Sequence, residues 1–383
     1  MTQAKNYYWR IAGFYFFYYA FVGTFAPYWS LYLKSIYFSA VEIAILMSVQ
    51  PVMRMIAPNL WGWLADRTGK RLLVVQIAAT LSALFYLGVF ATTSFWGMLL
   101  VLALMGFFWS ASIPLVEAIT FTWLGKRVAR YGRIRSWGSV GFIIAVVGLG
   151  FAFDYIAISW LLWAGLFVML GILFFSRLLP HTEVPAHHTD HHPIRRIMLQ
   201  PRVLALFGAC FLMSVAHGPY YTFFSIYLVE HGYAKSAVGG LWAIGVICEI
   251  GVFFLMPWLV QRFGFARILI GSLALAVLRF LLIGWGVDFL LLLLLAQILH
   301  AATFGAYHAA SLGLVHEFFQ GRHQSRGQAL FGSLTYGAGN MLGGLASGPI
   351  WQHYGASVLY SCSAGAALLG LLLMVWKLRM AQP

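Results

Sequence analysis

Twelve apolar stretches, each close to the length needed to cross a lipid bilayer, divide this chain almost end to end. They cover roughly 8–33, 39–63, 72–91, 94–121, 136–154, 157–177, 203–229, 236–259, 267–286, 288–312, 327–349 and 355–376. A hydrocarbon core about 30 Å thick takes around 20 helical residues to span. The predicted fold class is therefore an all-α membrane protein with twelve transmembrane helices. The residue inventory leaves no other surface to build. Of 383 residues 62% are hydrophobic and 9% charged, with a mean hydropathy of +0.84, whereas soluble domains carry roughly 25% charged residues. Most of the exterior must face lipid. The first stretch is too long for a cleavable signal peptide and lacks a small-residue cleavage site, so none is expected. Cys210, Cys248 and Cys362 all fall in apolar stretches and are expected to pack as small side chains, not to form disulfides or a metal site.

A net charge of +14 raises the question of nucleic acid, and its distribution answers it. Of 24 Lys and Arg, 20 lie near the two ends or in the even-numbered loops, with Lys126, Arg127, Arg130, Arg133 and Arg135 clustered after the fourth stretch. The opposite loops hold only Lys34 and Lys235, and Arg54 and Arg279 lie inside stretches. Positive residues stay on the cytoplasmic side, which predicts both termini there. The charge thus follows membrane topology, and no nucleic-acid partner is implied.

The longest polar stretch, "RLLPHTEVPAHHTDHHPIRRIMLQPR" at 177–202, separates the sixth and seventh apolar segments. Its Pro, His and charge content is that of a solvated linker. Its histidines (His181, His187, His188, His191 and His192) come without the Cys or fixed scaffold of a metal site. The expected organisation is a six-helix bundle over 1–178, a linker over 179–201 and a second six-helix bundle over 202–383. The bundles repeat: "VGTFAPYWSLYL" (22–33) resembles "HGPYYTFFSIYL" (217–228), and "GWLADRTGKR" (62–71) lies over "PWLVQRFGFA" (257–266) at the same offset. Two six-helix halves related by an axis along the membrane normal suit a transporter with its substrate site at the midplane between them.

"GWLADRTGKR" also resembles the loop between helices 2 and 3 of the major facilitator superfamily, which reads G-x-L-a-D-r-x-G-x-R. The resemblance implies that Gly62 permits close helix packing, that Gly69 makes the turn, and that Asp66, Arg67 and Arg71 form a charge network. That network would latch the outward-facing state at the cytoplasmic mouth.

Ionisable groups at bilayer depth are expensive and mark functional positions by default. Here they are Arg54, Glu117, Arg135, His217, Glu249, Arg279, His300 and His308. "VEAITFTWLGKRVARYGRIRSWGSVGF" (116–142), "CEIG", "VLRF" and "QILH" resemble the intramembrane charge pattern of oligosaccharide:proton symporters of the lactose permease type. By that resemblance Glu117 and Arg135 match a substrate-binding pair, and Glu249 matches the acid coupling substrate to proton. Arg279 and His300 match members of the proton-handling cluster. Two positions depart from the pattern: Thr303 stands where those proteins carry the proton-carrying acid, and Gln297 where they have a lysine. Over the whole chain, "YGRIRSWGSVGF", "SAVGGLWAIGVICEI" and "QILHAATFGAYH" more closely resemble the 3-phenylpropionate transporter group of the same superfamily, Arg54 included.

The residues support this reading without the family. Arginine grips carboxylates bidentately, so Arg54 and Arg135 in a cavity suit an acidic substrate. The alternative for Arg54 is a structural ion pair with Glu117 or Glu249. His300, Phe304, Tyr307, His308 and Ser311 recur at helical spacing, and a polar stripe in lipid must face protein or a water-filled cavity. His217 falls in "AHGPYY", where Pro219 is expected to break the seventh helix. Burial disfavours a charged Glu249 and a nearby Arg279 favours it, so an acid between those effects can exchange a proton near neutral pH. His300 is the competing carrier. G-x-x-x-x-G-K-[ST], H-E-x-x-H and G-x-S-x-G motifs are absent, so neither ATP-driven transport nor an enzyme is expected. The expected protein is a monomeric inner-membrane symporter of bacterial type, without cofactor or metal, moving a proton with a small organic substrate. An aromatic acid taken up by the cell comes first and a sugar or nucleoside second, with a proton-coupled exporter as the other alternative.

Overall fold

The computed structural model describes residues 2–181 and 194–379, with the side chains of 2–6, 322, 325 and 377–379 outside that description. His187, His188, His191 and His192 of the linker lie outside the described residues, while His181 is exposed. The chain first forms α1 (Thr2–Ser35), α2 (Ala40–Thr68), α3 (Arg71–Tyr86), α4 (Phe95–Leu124), α5 (Tyr131–Phe153) and α6 (Leu161–Arg177). After the linker come the short α7 (Arg195–Met198), α8 (Pro201–Glu230), α9 (Lys235–Trp285), α10 (Leu290–His300), α11 (Tyr307–Phe318), α12 (Gln324–Gly332) and α13 (Asn340–Arg379). Two π-helical segments, Ala301–Ala306 and Ser333–Gly339, join α10 to α11 and α12 to α13. No strand occurs among the described residues. A helix satisfies its backbone groups internally, which is the condition for crossing a solvent that offers no hydrogen bonds.

Among the described residues eight helical stretches are long and apolar enough to cross a membrane. The reading of twelve separate segments differs from this for a local reason. The pairs 94–121 with 136–154, 236–259 with 267–286, and 327–349 with 355–376 run on through single positive-φ glycines, Gly125 (φ 50°), Gly264 (φ 73°) and Gly355 (φ 78°), and α1 is not among the eight. Outward-facing side chains are large and apolar: Phe254 is 83% exposed, Leu291 76% and Trp96 75%. Such a surface belongs against lipid and would aggregate in water.

Pro219 does not break its helix. α8 runs unbroken through it, with Thr222 Oγ1 bonded to the carbonyl of Gly218 at 3.0 Å. A proline deprives the carbonyl four residues earlier of its donor, and that carbonyl, Val215 O, is where α13 approaches most closely. A Cβ on Gly343 would stand 2.1 Å from it. The glycine lets one backbone pack directly over the gap in the other, as close helix contacts in membranes require.

α1 packs on α5 and α6, α4 on α2 and α3, α8 on α13, and α9 on α10 and α11. Across the linker, α2 meets α13, α5 meets α9 and α1 meets α8. These contacts gather at one end of the molecule. There Gly348 lies against Val41 and Ala44, Gly239 against the Val146 carbonyl and Gly150 against the Lys235 carbonyl. At the same end Lys34 of α1 forms an ion pair with Glu230 of α8. Asp154, just beyond α5, accepts hydrogen bonds from the backbone N–H of Lys235 (2.8 Å) and Ser236 (3.3 Å). It thereby caps the first turn of α9 from the other half of the chain. Hydrogen bonds from Ser236, with that of Lys235 behind them, hold its carboxyl below the usual carboxylate range.

Gly343→Ala should therefore destabilise the protein by about 1–3 kcal/mol, the usual cost of overpacking. Gly62→Ala, where a Cβ meets nothing within 4 Å, should be neutral. Thermal unfolding of both variants in one detergent makes the comparison.

Asp154→Ala should weaken the closed end by about 1 kcal/mol, as loss of a capping side chain does. Because bonding depresses the Asp154 carboxyl, its stabilisation of the closed end is complete above the ordinary aspartate value near 4. It is lost as pH falls through the depressed value. Spin-label distances between positions 37 and 288 should lengthen at low pH in the native protein. In the variant they should already be longer at neutral pH.

Candidate functional site

The N-terminal helices bring two arginines onto aromatic faces. Arg54 of α2 lies 5.2 Å from the centroid of Trp109 in α4, and Trp109 stacks on Tyr18 of α1 at 4.4 Å. Arg135 of α5 sits 3.8 Å over Tyr19 and 5.8 Å from Tyr15, both on α1. Glu117 of α4 accepts a hydrogen bond from the Tyr131 hydroxyl at 3.0 Å. Among the described residues Lys34–Glu230 and Arg71–Asp66 are the ion pairs. Arg54 thus forms no structural pair with Glu117 or Glu249, and Arg135 none with Glu117. An aromatic face attracts a cation without using its N–H groups, so both guanidinium forks stay available to a bidentate acceptor.

Glu249 of α9 approaches from the other half. It packs against Gly305 in the first π-helical segment, where a Cβ would lie 2.9 Å from its Cγ. Its carboxylate has no hydrogen-bond or ion-pair partner among the described residues. Tyr19 marks where the halves converge, for it feels the charges of Arg135, Glu117, Arg54 and Glu249 together. The cation acting on Glu249 is Arg135. This corrects the expectation that Arg279 stands beside Glu249.

Arg279 is instead fully buried within its own half. Its Nε donates to the Ala296 carbonyl (3.1 Å), and its Nη1 to His217 Nε2 (3.2 Å) and Thr303 Oγ1 (3.4 Å). The Tyr220 ring lies 4.3 Å away. His300 stacks between Tyr220 (5.8 Å) and Phe304 (5.3 Å). Tyr307 is 2% exposed and donates to the Cys210 carbonyl at 3.1 Å. His217 and Tyr307 line a small cavity with Thr303, Phe304, Tyr221 and Asn340, with room for about one water molecule. His308 is tied to the Tyr336 hydroxyl at 2.7 Å. π-helical turns recur at functional sites because they widen the helix and re-aim side chains; this one sets Thr303 toward Arg279 and Gly305 toward Glu249.

At the far end of α2, Gly69 takes the left-handed turn (φ 66°) and Arg71 Nη2 bonds Asp66 Oδ1 at 2.7 Å. Arg67 is not part of that pair; it lies 5.2 Å over Trp63. Close packing is not what requires glycine at Gly62, which faces open space in this conformation.

Sequence reading passed over Trp109, Tyr131 and Tyr220. Each touches a charged residue through another helix, and no spacing along the chain announces such a contact. Trp109 and Tyr220 carried the faint signal of aromatic residues near the middle of apolar segments. No cluster of three metal-ligating side chains occurs among the described residues.

A family model described as the MFS_1 like family matches residues 8–362. The chain is 30% identical over 350 residues to the probable 3-phenylpropionic acid transporter of Escherichia coli (strain K12), covering 90% of this chain and 92% of that one. It is 24% identical over 365 residues to the maltose permease of Geobacillus stearothermophilus, covering 94% and 92%. The crystal structure of the nucleoside transporter NupG superposes with a TM-score of 0.85 at 18% identity, over 97% of this chain and 98% of that one.

Proposed function

The chain belongs to the MFS_1 like family of major facilitator transporters, and from that premise we propose that it is a proton-coupled symporter taking up a small aromatic acid such as 3-phenylpropionate. Splitting three of the eight membrane-length stretches at Gly125, Gly264 and Gly355, and adding α1, makes twelve crossings in two bundles of six. The basic loops support a reading with both termini in the cytoplasm and the chain in a bacterial-type inner membrane. The zipped end is then the outer one, and the substrate site opens toward the cytoplasm. Asp66, Arg67 and Arg71 stand at that mouth, placed to engage when it closes. The protein works as a monomer.

The observation that carries this reading is the pair of arginines, Arg54 and Arg135, held on aromatic faces with no carboxylate of their own. A substrate carboxylate supplies the missing charge, and the surrounding Tyr18, Tyr19 and Trp109 offer aromatic surface for a phenyl ring. Coupling follows from Arg135 acting on Glu249 across the two halves. While Arg135 is free its field favours a charged Glu249. A substrate carboxylate on Arg135 cancels that field, and Glu249 takes up a proton as substrate binds. The loaded site is then closer to neutral and can reorient through the low-dielectric barrier. His300 is a poorer carrier, since a proton there adds a second positive charge near the buried Arg279. A neutral sugar or nucleoside is the second reading. It is favoured by Glu117, which accepts from Tyr131 through Oε1 alone and so keeps Oε2 for a substrate hydroxyl.

Arg54→Gln or Arg135→Gln should weaken 3-phenylpropionate binding by tenfold to a hundredfold. That corresponds to roughly 1.5–3 kcal/mol for a hydrogen bond to a charged group. Calorimetry on purified protein reads this directly. Binding of a sugar or nucleoside with no affinity for the acid would move the assignment to the second reading.

Glu249→Gln should keep substrate exchange across proteoliposomes and lose accumulation driven by an inward pH gradient. Retained accumulation in Glu249→Gln, together with its loss in His300→Gln, would transfer the proton to the histidine. Substrate leaving against its gradient under the same conditions would reverse the direction of transport.

A further inference from the structure

Arg279 has a fully buried guanidinium and no carboxylate within 4 Å among the described residues. Its polar contacts are all neutral. His217 Nδ1 bonds the Met213 carbonyl at 2.8 Å, so that nitrogen carries the proton and Nε2 presents a lone pair to Arg279. Thr303 offers a hydroxyl and Ala296 a carbonyl. Three nitrogens around it are buried without a protein hydrogen-bond partner: Arg279 Nη2, Gln297 Nε2 and His300 Nδ1. They belong to one cluster. The Tyr220 hydroxyl donates to Gln297 Oε1 at 3.0 Å, while its ring faces both Arg279 and His300. Gly245 lies against Gln297 and His300 together.

A buried cation without a counter-charge, beside unused donors, is an arrangement that proteins otherwise avoid. We propose that this cluster is a binding site for a small monovalent anion, seated between α8, α9 and the α10–α11 π-helical segment. The chemistry fits little else. The net charge is positive, the open groups are chiefly donors, and no acid is present to hold a cation. His217 and Thr303, both bonded to Arg279 Nη1, also form part of the wall of the small cavity beside it. Two sources share this chemistry: a halide, and the carboxylate of the transported acid. The site is separate from Arg54 and Arg135 and goes beyond the transport reading.

The test uses the full chain in detergent, in a methanesulfonate buffer of constant ionic strength. Chloride, bromide and 3-phenylpropionate are titrated singly while the melting temperature is followed. A saturable rise is expected with at least one of them, and it should persist when both Arg54 and Arg135 are replaced by Gln. A rise with halide assigns an inorganic anion. A rise with 3-phenylpropionate alone, in that double variant, assigns the substrate carboxylate. Added to that double variant, Arg279→Gln should abolish the rise. Thr303→Asp puts a carboxylate within reach of Nη1. It should raise the melting temperature in the starting buffer and remove the titration, which keeps the test open if Arg279→Gln does not fold. No anion-dependent rise in the Arg54→Gln, Arg135→Gln variant, or one unchanged when Thr303→Asp is added to it, would overturn the proposal. Failure of aromatic-acid transport with the halide effect intact would sink the transport reading alone.

Discussion

The bilayer's refusal to solvate charge organises this protein. An ionisable side chain facing lipid is costly, so the few intramembrane charges must turn inward, and the helices arrange themselves around them. Arg54, Glu117 and Arg135 come from one half of the chain and Glu249 from the other, and Tyr19 lies within the field of all four. The apolar exterior and the charged interior are two consequences of one solvent.

Within that interior, aromatic rings do what ion pairs do in soluble proteins. Trp109 holds Arg54 and Tyr19 holds Arg135. An arginine tied to an acid has used its fork; one lying on a ring has not. This explains how a chain with only 10 acids can keep guanidinium groups ordered and still receptive. It also leaves the charge on Arg135 to act on both Glu117 and Glu249. The closed end is held by different means: small residues, one ion pair and one shared helix cap. All of these can part without unfolding a helix, as an alternating transporter requires.

The departures from the lactose permease-like pattern have a local explanation. Thr303 replaces an acid, and the arginine that would have met it turns to a neutral histidine and a hydroxyl instead. Arg279 stays within its own half, and the proposed coupling between the halves runs through Arg135.

Apolar length and the placement of Lys and Arg were enough to read an all-helical membrane protein, because the cost of exposing backbone to lipid depends on composition and span alone. The charges at bilayer depth were legible for the same reason: each is conspicuous against an apolar run. Their partners were not. Arg279 beside Glu249 was the expectation, but Arg279 turns to His217, Thr303 and the Ala296 carbonyl instead. Pro219 looked like a break and is not, because Gly343 on a distant helix packs over the carbonyl it leaves free. The sequence by itself determined which residues had to be buried or turned inward, since that is a matter of solvent. Which residue each of them faces was decided only by the tertiary structure, because helix rotation and crossing depend on contacts between segments far apart in the chain.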